Sequence, residues 1–159
     1  MSIIIVSSFF IIFFLLFFRN DEFKDCSKAL ISDGRDYIEL DIADTPSKRT
    51  IGLMFVKALD PKKGMLFIFD DERDRVFWMK NTFVPLDIIF ISSDFRINTI
   101  YSGIRASYPD EPDDKIPLVH GSAKYVVEIS SGMSNFFGFK EGNKIDIRCF
   151  KKDKLNFKV

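Results

Sequence analysis

Hydrophobic and polar positions divide the chain into a uniformly apolar start and a longer part in which the two kinds alternate. Residues 3–18 are apolar except for Ser7 and Ser8, and the run ends at Arg19. A helix of this length would extend about 24 Å, against about 30 Å for the hydrocarbon core of a bilayer. Because nearly every face of that helix would be apolar, it does not fit a helix packed on one side of a soluble domain. We therefore interpret residues 1–18 as a signal peptide or membrane anchor that contacts the membrane through residues 3–18.

The pattern leaves cleavage and orientation of this leader open. The run is short for a spanning helix and slightly long for the apolar core of a signal peptide, which has about 7–15 residues. No Lys or Arg precedes the run, and small residues suited to a signal peptidase, Ser27 and Ala29, lie well beyond its end. Of the two alternatives, we expect an uncleaved anchor rather than a cleaved signal peptide. Arg19 and Lys24 follow the run, and the positive-inside tendency alone would keep them cytoplasmic.

The rest of the chain consists of a polar stretch and one domain. Residues 19–35 are polar and contain the turn signal Ser32-Asp33-Gly34, which is typical of a linker. Residues 36–159 are long enough for one globular domain and leave little for a second. Tyr37–Ile42 alternates apolar and acidic residues, which predicts a half-buried strand. Residues 44–46 favour the start of a helix whose apolar face would extend over positions 51, 54, 55 and 58.

Further short apolar segments predict most of a sheet. The pattern places strands at residues 65–69, 75–80, 84–91, 95–101, 123–129 and 144–150, and a second short helix at residues 131–137. Residues 103–122 read as a long loop. We expect an α+β domain built on a compact, mostly antiparallel curled sheet, or a partly closed β-barrel, of six to seven strands with two short helices.

Composition and residue spacing argue against several classes of function. Lys plus Arg and Asp plus Glu each number 23, so the formal net charge is zero. Nucleic-acid affinity normally depends on surplus positive charge that meets phosphates, so we expect no nucleic-acid partner. The glycine spacing permits neither a dinucleotide-binding nor a phosphate-binding loop. One histidine, His120, and two distant cysteines cannot supply a zinc cluster, and the acidic residues 110–114 read as a solvated loop. We expect no metal and no cofactor.

The two cysteines, Cys26 and Cys149, leave two interpretations. A disulfide would require that the domain is exported and that Cys26 is retained. Two unrelated thiols, with Cys149 packed as a small apolar residue, are the alternative that the sequence favours.

The candidate site centres on Asp87, a carboxylate inside the apolar segment 86–91. An unpaired buried charge costs several kcal/mol, about 3–5 kcal/mol when a buried pair is broken, so Asp87 should have a donor nearby or lie at a cleft wall. Lys80 is the nearest cation in sequence, and Arg49 on the preceding helix is a second. The functional interpretation is a ligand-binding pocket around Asp87, Lys80 and Arg49. Its floor would be Trp78 and Met79, and its further polar groups would be Asn81 and Thr82. A turn stapled by a salt bridge and amide bonds is the structural alternative.

These residues also carry a resemblance to a known family. The chain resembles domain-of-unknown-function family 192, also called uncharacterised protein family 0127, over roughly residues 37–148. The motifs that carry it are Arg49-x-x-Gly52-Leu53-Met54-Phe55, Gly64-Met65-Leu66-Phe67-x-Phe69, Phe77-Trp78-Met79-Lys80-Asn81-Thr82-x-x-Pro85-Leu86-Asp87-Ile88-x-Phe90, and Ala123–Glu128 followed by three glycines. The resemblance implies a compact, largely β domain, often preceded by a signal or anchor. It therefore implies a domain on the extracytoplasmic, periplasmic side, and it supplies no reaction.

Two functions remain open at this point. The first is a membrane-anchored or exported binding or accessory module with a small polar pocket for an unknown small-molecule or protein ligand. The second is a hydrolase or lyase that uses Asp87 as acid or base, with Lys80 or Arg49 steadying an anionic substrate. The absence of a recognisable nucleophile–base pair favours the first, and a carboxylate among apolar neighbours motivates the second.

Overall fold

In the part of the chain that the structure describes, the domain consists of a seven-stranded sheet and two short helices. The computed structural model describes Phe23 and residues 25–151. The strands are β1 (Cys26–Ser32), β2 (Tyr37–Ala43), β3 (Lys63–Trp78), β4 (Leu86–Ile91), β5 (Ile97–Ile104), β6 (Leu118–Ser130) and β7 (Asp146–Lys151). The helices are α1 (Pro46–Ile51) and α2 (Met133–Phe136), and a single 3-10 turn occupies Asp113–Lys115.

The strands form one mixed sheet in the order β5-β4-β6-β3-β2-β1-β7. Every neighbouring pair is antiparallel except β2 and β3, which run parallel with Leu40 opposite Gly64. A parallel pair needs a crossover connection, and the segment between β2 and β3 supplies it and contains α1. The sheet curls so that the start of β5 approaches the start of β7 through an isolated bridge between Arg96 and Lys144. The expectation of an α+β curled sheet is confirmed, and the sheet does not close into a barrel.

Strand β1 lies inside the stretch that the sequence pattern assigns to a linker. Ala29 and Ile31 are fully buried, whereas Lys28 and Leu30, on either side of Ala29, are half-buried, so burial alternates with a period of two. Polar flanking residues conceal this alternation in the sequence. The linker prediction for residues 19–35 is therefore wrong over Cys26–Ser32, while the predicted turn that follows is present.

A disulfide joins the first and last strands. Cys26 and Cys149 are bonded across β1 and β7, with their Cα atoms 5.6 Å apart and a sequence separation of 123. This separation falls in the usual range for disulfides. The expectation of two unrelated thiols is wrong, because β1 is a strand of the sheet and brings Cys26 to β7. A bond that closes so long a loop typically stabilises a domain by about 2–4 kcal/mol.

Helix α1 starts where the sequence predicts and ends earlier. Thr45 is its N-cap, whose Oγ1 accepts a hydrogen bond from the Lys48 N–H at 3.3 Å, and Pro46 occupies the first turn. The helix stops at Ile51, because Gly52 takes a backbone conformation with φ +49° and ψ −132°. The predicted apolar face over positions 51–58 therefore does not form, and Ile51 is exposed.

The core consists of two layers, one on each face of the curled sheet. One layer contains Tyr125, Val127 and Ile129 of β6 together with residues of β1 and β2. The other contains Ala123 and Val126 of β6 together with residues of β3 and β4. Each fully buried large aliphatic or aromatic side chain contributes about 1.5–3 kcal/mol, so both layers stabilise the sheet. Helix α1 covers part of the second layer, and a cleft lies there.

Over the residues that the structure describes, no helix has both the length and the apolar composition to cross a bilayer. The proposed anchor, residues 3–18, lies outside the described residues.

Candidate functional site

A cleft of about 420 Å³ lies between helix α1 with the residues that follow it and the long strand β3. This volume is within the usual range for small-molecule sites. The cleft is lined by Pro46, Arg49, Thr50, Ile51, Gly52, Leu53, Met54, Phe67, Phe69, Val76, Phe77, Trp78, Thr82 and Glu128. Of these residues only Arg49 and Glu128 carry charged groups, and they determine the electrostatics of the cleft.

Glu128 lies deep in the cleft, on the central strand β6. Its register partners are Met65 of β3 and Ile88 of β4, and Ile88 belongs to the second core layer. The residue is 6% exposed, and no described residue donates a hydrogen bond to its carboxyl group. Burial raises the pKa of the Glu128 carboxyl to about 8. An acid without a partner among apolar neighbours is costly to keep charged, so Glu128 is mostly neutral at pH 7.

Gly52 leaves the space beside this carboxyl group open. A Cβ atom at position 52 would lie 3.1 Å from Cζ of Phe67 and 3.7 Å from Oε2 of Glu128. Its positive φ also disfavours any side chain. Glycine at this position therefore ends α1 and at the same time keeps the route from the cleft to the Glu128 carboxyl unobstructed.

Arg49 is held at the cleft by the backbone. Its Nη1 donates to the carbonyl oxygens of Asp44 at 2.9 Å and Ile68 at 2.8 Å, and its guanidinium carbon lies 5.0 Å from the centre of the Phe69 ring. These bonds use Nη1 alone. The remaining donors of Arg49 have no partner among the described residues, so they are available to a ligand.

Aromatic rings form much of the wall of the cleft. Phe67 and Phe77 meet edge to face with centroids 4.9 Å apart, and Phe69 meets Phe77 in the same way at 6.4 Å. Ile51, Val76 and Trp78 are 53%, 63% and 46% exposed and give the mouth an apolar rim. The cleft therefore combines a wall of mostly apolar residues with two ionisable groups and a few neutral polar ones, which is the usual composition of a ligand site.

The structure brings together only part of the predicted pocket. Arg49, Trp78 and Thr82 line the cleft, although Trp78 stands at its rim rather than on its floor. A role of these residues in ligand binding stays a prediction. The other predicted members, Met79, Lys80, Asn81 and Asp87, are not among the lining residues.

Three residues of the predicted turn have structural contacts instead. Met79 is buried in the second core layer. Nζ of Lys80 forms an ion pair with Oδ1 of Asp113 at 2.9 Å. Asn81 has φ +54° and its carbonyl oxygen accepts a hydrogen bond from the Phe55 N–H at 2.8 Å. The turn thus fixes the segment after α1, which forms one side of the cleft.

Asp87 is fully buried, and its donors are backbone N–H groups and the Ser134 hydroxyl rather than Lys80 or Arg49. Oδ1 accepts from the Gly103 N–H at 2.8 Å; Oδ2 accepts from the Gly132 N–H at 3.0 Å, and from the N–H and Oγ of Ser134 at 2.9 Å and 2.6 Å. Its register partner Ile129 belongs to the first core layer, so Asp87 and Glu128 point to opposite faces of the sheet. The expectation that Asp87 has donors nearby is confirmed, and its side chain lies on the face of the sheet opposite the cleft.

Sequence reasoning missed Glu128 and Gly52. Glu128 lies in the apolar segment Tyr125–Ile129, where the alternation places it on a buried face. The reasoning that identified Asp87 therefore applies to Glu128 equally. The role of Gly52 depends on its distance to Phe67 across the cleft, which no local pattern contains.

Within residues 23 and 25–151, no three His, Cys, Asp or Glu side chains are grouped as a metal site would require. The structure therefore provides no geometry from which to derive metal chemistry at the cleft.

Comparison with known proteins identifies a family to which the chain is similar. The family model DUF192, described as "Uncharacterized ACR", matches residues 29–147. No curated protein matches the chain. A crystal structure from Sinorhizobium meliloti 1021, described as a candidate transcription regulator, is similar with a TM-score of 0.63 and 30% identity over 75% of this chain and 91% of that one. A protein of unknown function from Novosphingobium aromaticivorans DSM 12444 is similar with a TM-score of 0.60 and 30% identity over 75% and 83%.

Proposed function

Since the chain belongs to the DUF192 family, whose function is unknown, we propose that it is a small-molecule binding module. Its binding site is the cleft between α1 and β3, and its N-terminal apolar segment tethers or exports it. The observation that carries this proposal is the Glu128 carboxyl, buried in the cleft without a hydrogen-bond partner from any described residue. The described part of the fold supplies this carboxyl group with no donor, and its oxygens are reached only from the cleft, so its partner has to be supplied from outside.

The geometry gives less support to a hydrolase or lyase that uses Asp87. All of the hydrogen bonds that this carboxylate accepts come from backbone N–H groups and the Ser134 hydroxyl, and it is fully buried. A general acid or base needs to come within hydrogen-bond reach of a substrate. Asp87 therefore has the environment of a structural residue.

A role in binding nucleic acid also has little support. The Sinorhizobium meliloti neighbour is described as a candidate transcription regulator, but the present chain has a formal net charge of zero. Without surplus positive charge it lacks the electrostatic term on which nucleic-acid affinity depends.

Fragment binding tests the cleft directly. We expect matched aromatic fragments, including benzylamine, benzyl alcohol and benzoate, to shift the NMR signals of the Gly52 amide and the Trp78 indole in a saturable way. Trp78 is the only tryptophan and lies at the mouth, so its indole N–H signal is an unambiguous reporter. If no fragment shifts these signals at millimolar concentration, the binding function is wrong.

Two crowding variants and a matched control make this test specific. Gly52→Ala adds a Cβ atom beside Phe67 and Glu128, whereas Gly138→Ala adds one at a similar positive φ with no neighbour within 4 Å. Thr50→Phe adds bulk from an exposed cleft position if Gly52→Ala does not fold. We expect both crowding variants to weaken fragment binding at least tenfold and Gly138→Ala to leave it unchanged. Equal binding by all variants would place the fragments elsewhere.

Export or tethering is supported by two features. Residues 3–18 form an uncharged apolar run, and the Cys26–Cys149 disulfide requires an oxidising compartment in most organisms. We expect the protein to sediment with membranes or to be secreted, and both cysteines to resist alkylation in cells until a reductant is added. Cys149→Ser should expose one reactive thiol. A wild-type chain with two alkylated cysteines in the soluble cytoplasmic fraction would contradict this part of the proposal.

A further inference from the structure

The charged and aromatic groups of the cleft indicate which ligand it takes. We propose that the cleft binds an organic amine as its ammonium ion, with an apolar body of aromatic size, and that the Glu128 carboxylate is the counter-ion. This inference rests on the proposed binding function and adds to it the chemical class of the ligand.

The first support is the missing partner of Glu128. Its carboxyl group is almost fully buried, lines the cleft and has no hydrogen bond from any described residue. A bound ammonium group can donate up to three N–H bonds, so it satisfies a carboxylate that the fold leaves unsatisfied. Charge-assisted bonds of this kind are about twice as strong as bonds between neutral groups.

The second support is the aromatic wall. Ring faces attract cations, and the rings at this cleft already do so with side chains of the protein. The guanidinium carbons of Arg49 and Arg75 lie 5.0 Å and 4.0 Å from the centre of the Phe69 ring, and Nζ of Lys80 lies 5.0 Å from that of Trp78. The Phe67 and Phe77 rings have no such cation among the described residues and face the same cleft as Glu128.

Arg49 determines where the cation can bind. It is the only cationic side chain among the described lining residues, and its Nη1 is fixed by the Asp44 and Ile68 carbonyl oxygens. Thr82, the β3 residues of the lining and the β4 neighbour Ile88 carry no charge. An ammonium group is therefore repelled by Arg49 and attracted by Glu128, so the ligand points its amine inward and presents any acceptor group to Arg49.

Binding of an ammonium ion requires that Glu128 ionises. Because burial raises the pKa of this carboxyl to about 8, the empty cleft holds the neutral acid at pH 7. The neutral acid and the ammonium ion then give an ion pair and one proton, which passes to the solvent. Affinity for an amine should therefore rise with pH between 6 and 8, by about fivefold to tenfold per unit, because the ionised fraction rises by that factor.

Three matched fragments test the ligand class on the full chain. We measure the dissociation constants of benzylamine, benzyl alcohol and benzoate at pH 6, 7 and 8 by NMR, and follow the carbon-13 carboxyl signal of Glu128 at the same time. We expect benzylamine to bind at least tenfold more tightly than benzyl alcohol at pH 8, with the Glu128 signal moving to its ionised position on binding. Glu128→Gln should remove both the preference and the pH dependence.

The possible failures are distinguishable. If benzoate binds best of the three, and binds more weakly as the pH rises, then neutral Glu128 and Arg49 hold an anion. The cleft would bind ligands, but the proposal that they are amines would be wrong. Equal affinity for benzylamine and benzyl alcohol would also overturn it. If none of the three fragments reaches the cleft signals, the binding function itself fails. Loss of preference in Glu128→Gln counts only if its melting temperature remains well above the temperature of measurement.

Discussion

Replacing Asp87 by Asn is expected to lower the free energy of unfolding by about 3–5 kcal/mol. The wild-type carboxylate accepts three backbone N–H bonds and one hydroxyl bond while fully buried. An amide at the same position turns its NH2 group toward at least one of these donors, whichever way it is rotated. Repulsion between the NH2 group and these donors destabilises the fold. The loss of charge-assisted hydrogen bonds adds to this, because those bonds hold the turn at Gly103 and the start of α2 in place.

Thermal unfolding measures this effect. For a domain of this size the loss corresponds to a fall in melting temperature of about 10–20 °C. Asp113→Asn is the matched control, since this exposed carboxylate bonds only Lys80 and should cost less than about 1 kcal/mol. Below its melting temperature, Asp87→Asn should bind fragments as the wild type does. A normal melting temperature with fragment binding lost would instead show that Asp87 is a site residue.

The second large effect concerns Glu128 and pH. Its pKa in the folded state is about 8, and that of an unfolded Glu is about 4.5, so the folded state holds more protons between these values. Stability therefore falls as the pH rises through this window, and the loss reaches on the order of 5 kcal/mol above pH 8. Asp94 affects stability in the opposite direction. A hydrogen bond from Ser92 lowers the pKa of its carboxyl group, so its contribution to stability is lost as the pH falls below about 4.

Denaturant unfolding of the ligand-free protein at several pH values between 5.5 and 8.5 tests this. We expect the free energy of unfolding of the wild type to decline across the range and that of Glu128→Gln to stay nearly constant. Glu39→Gln, an exchange of the same kind at a carboxylate 41% exposed, should leave the wild-type slope intact. Parallel slopes for wild type and Glu128→Gln would mean that the Glu128 carboxyl ionises without penalty.

Sequence patterns predict the sheet well where alternation is long and uninterrupted. Strand β2 forms at Tyr37–Ala43 as its apolar and acidic alternation indicates. β3 was expected as two strands separated by the charged residues 70–74, but it is one strand with an irregularity between Ile68 and Arg73. The charged side chains of residues 70–74 are exposed, and pairing with β6 is interrupted after Ile68 and resumes at Arg73.

The candidate site was less predictable, because its contacts are far apart in sequence. The need of Asp87 for donors follows from its apolar neighbours, but most of the donors that satisfy it lie 45 and 47 residues away, at the start of α2. Conversely, Lys80 is close to Asp87 in sequence and forms an ion pair with Asp113, 33 residues away. Burial of a charge can thus be predicted locally, whereas its partner depends on the topology of the sheet.

The bond between the first and last strands has a consequence for synthesis. β1 emerges from the ribosome or from a translocation channel before its second neighbour β7, whose Cys149 follows Cys26 at a sequence separation of 123. Until then one edge of β1 and the Cys26 thiol lack their native partners, and an unpaired edge is where chains associate wrongly. Maturation of this protein therefore ends with an oxidation step that waits for the C-terminus, which makes its yield sensitive to the supply of thiol oxidants in the compartment.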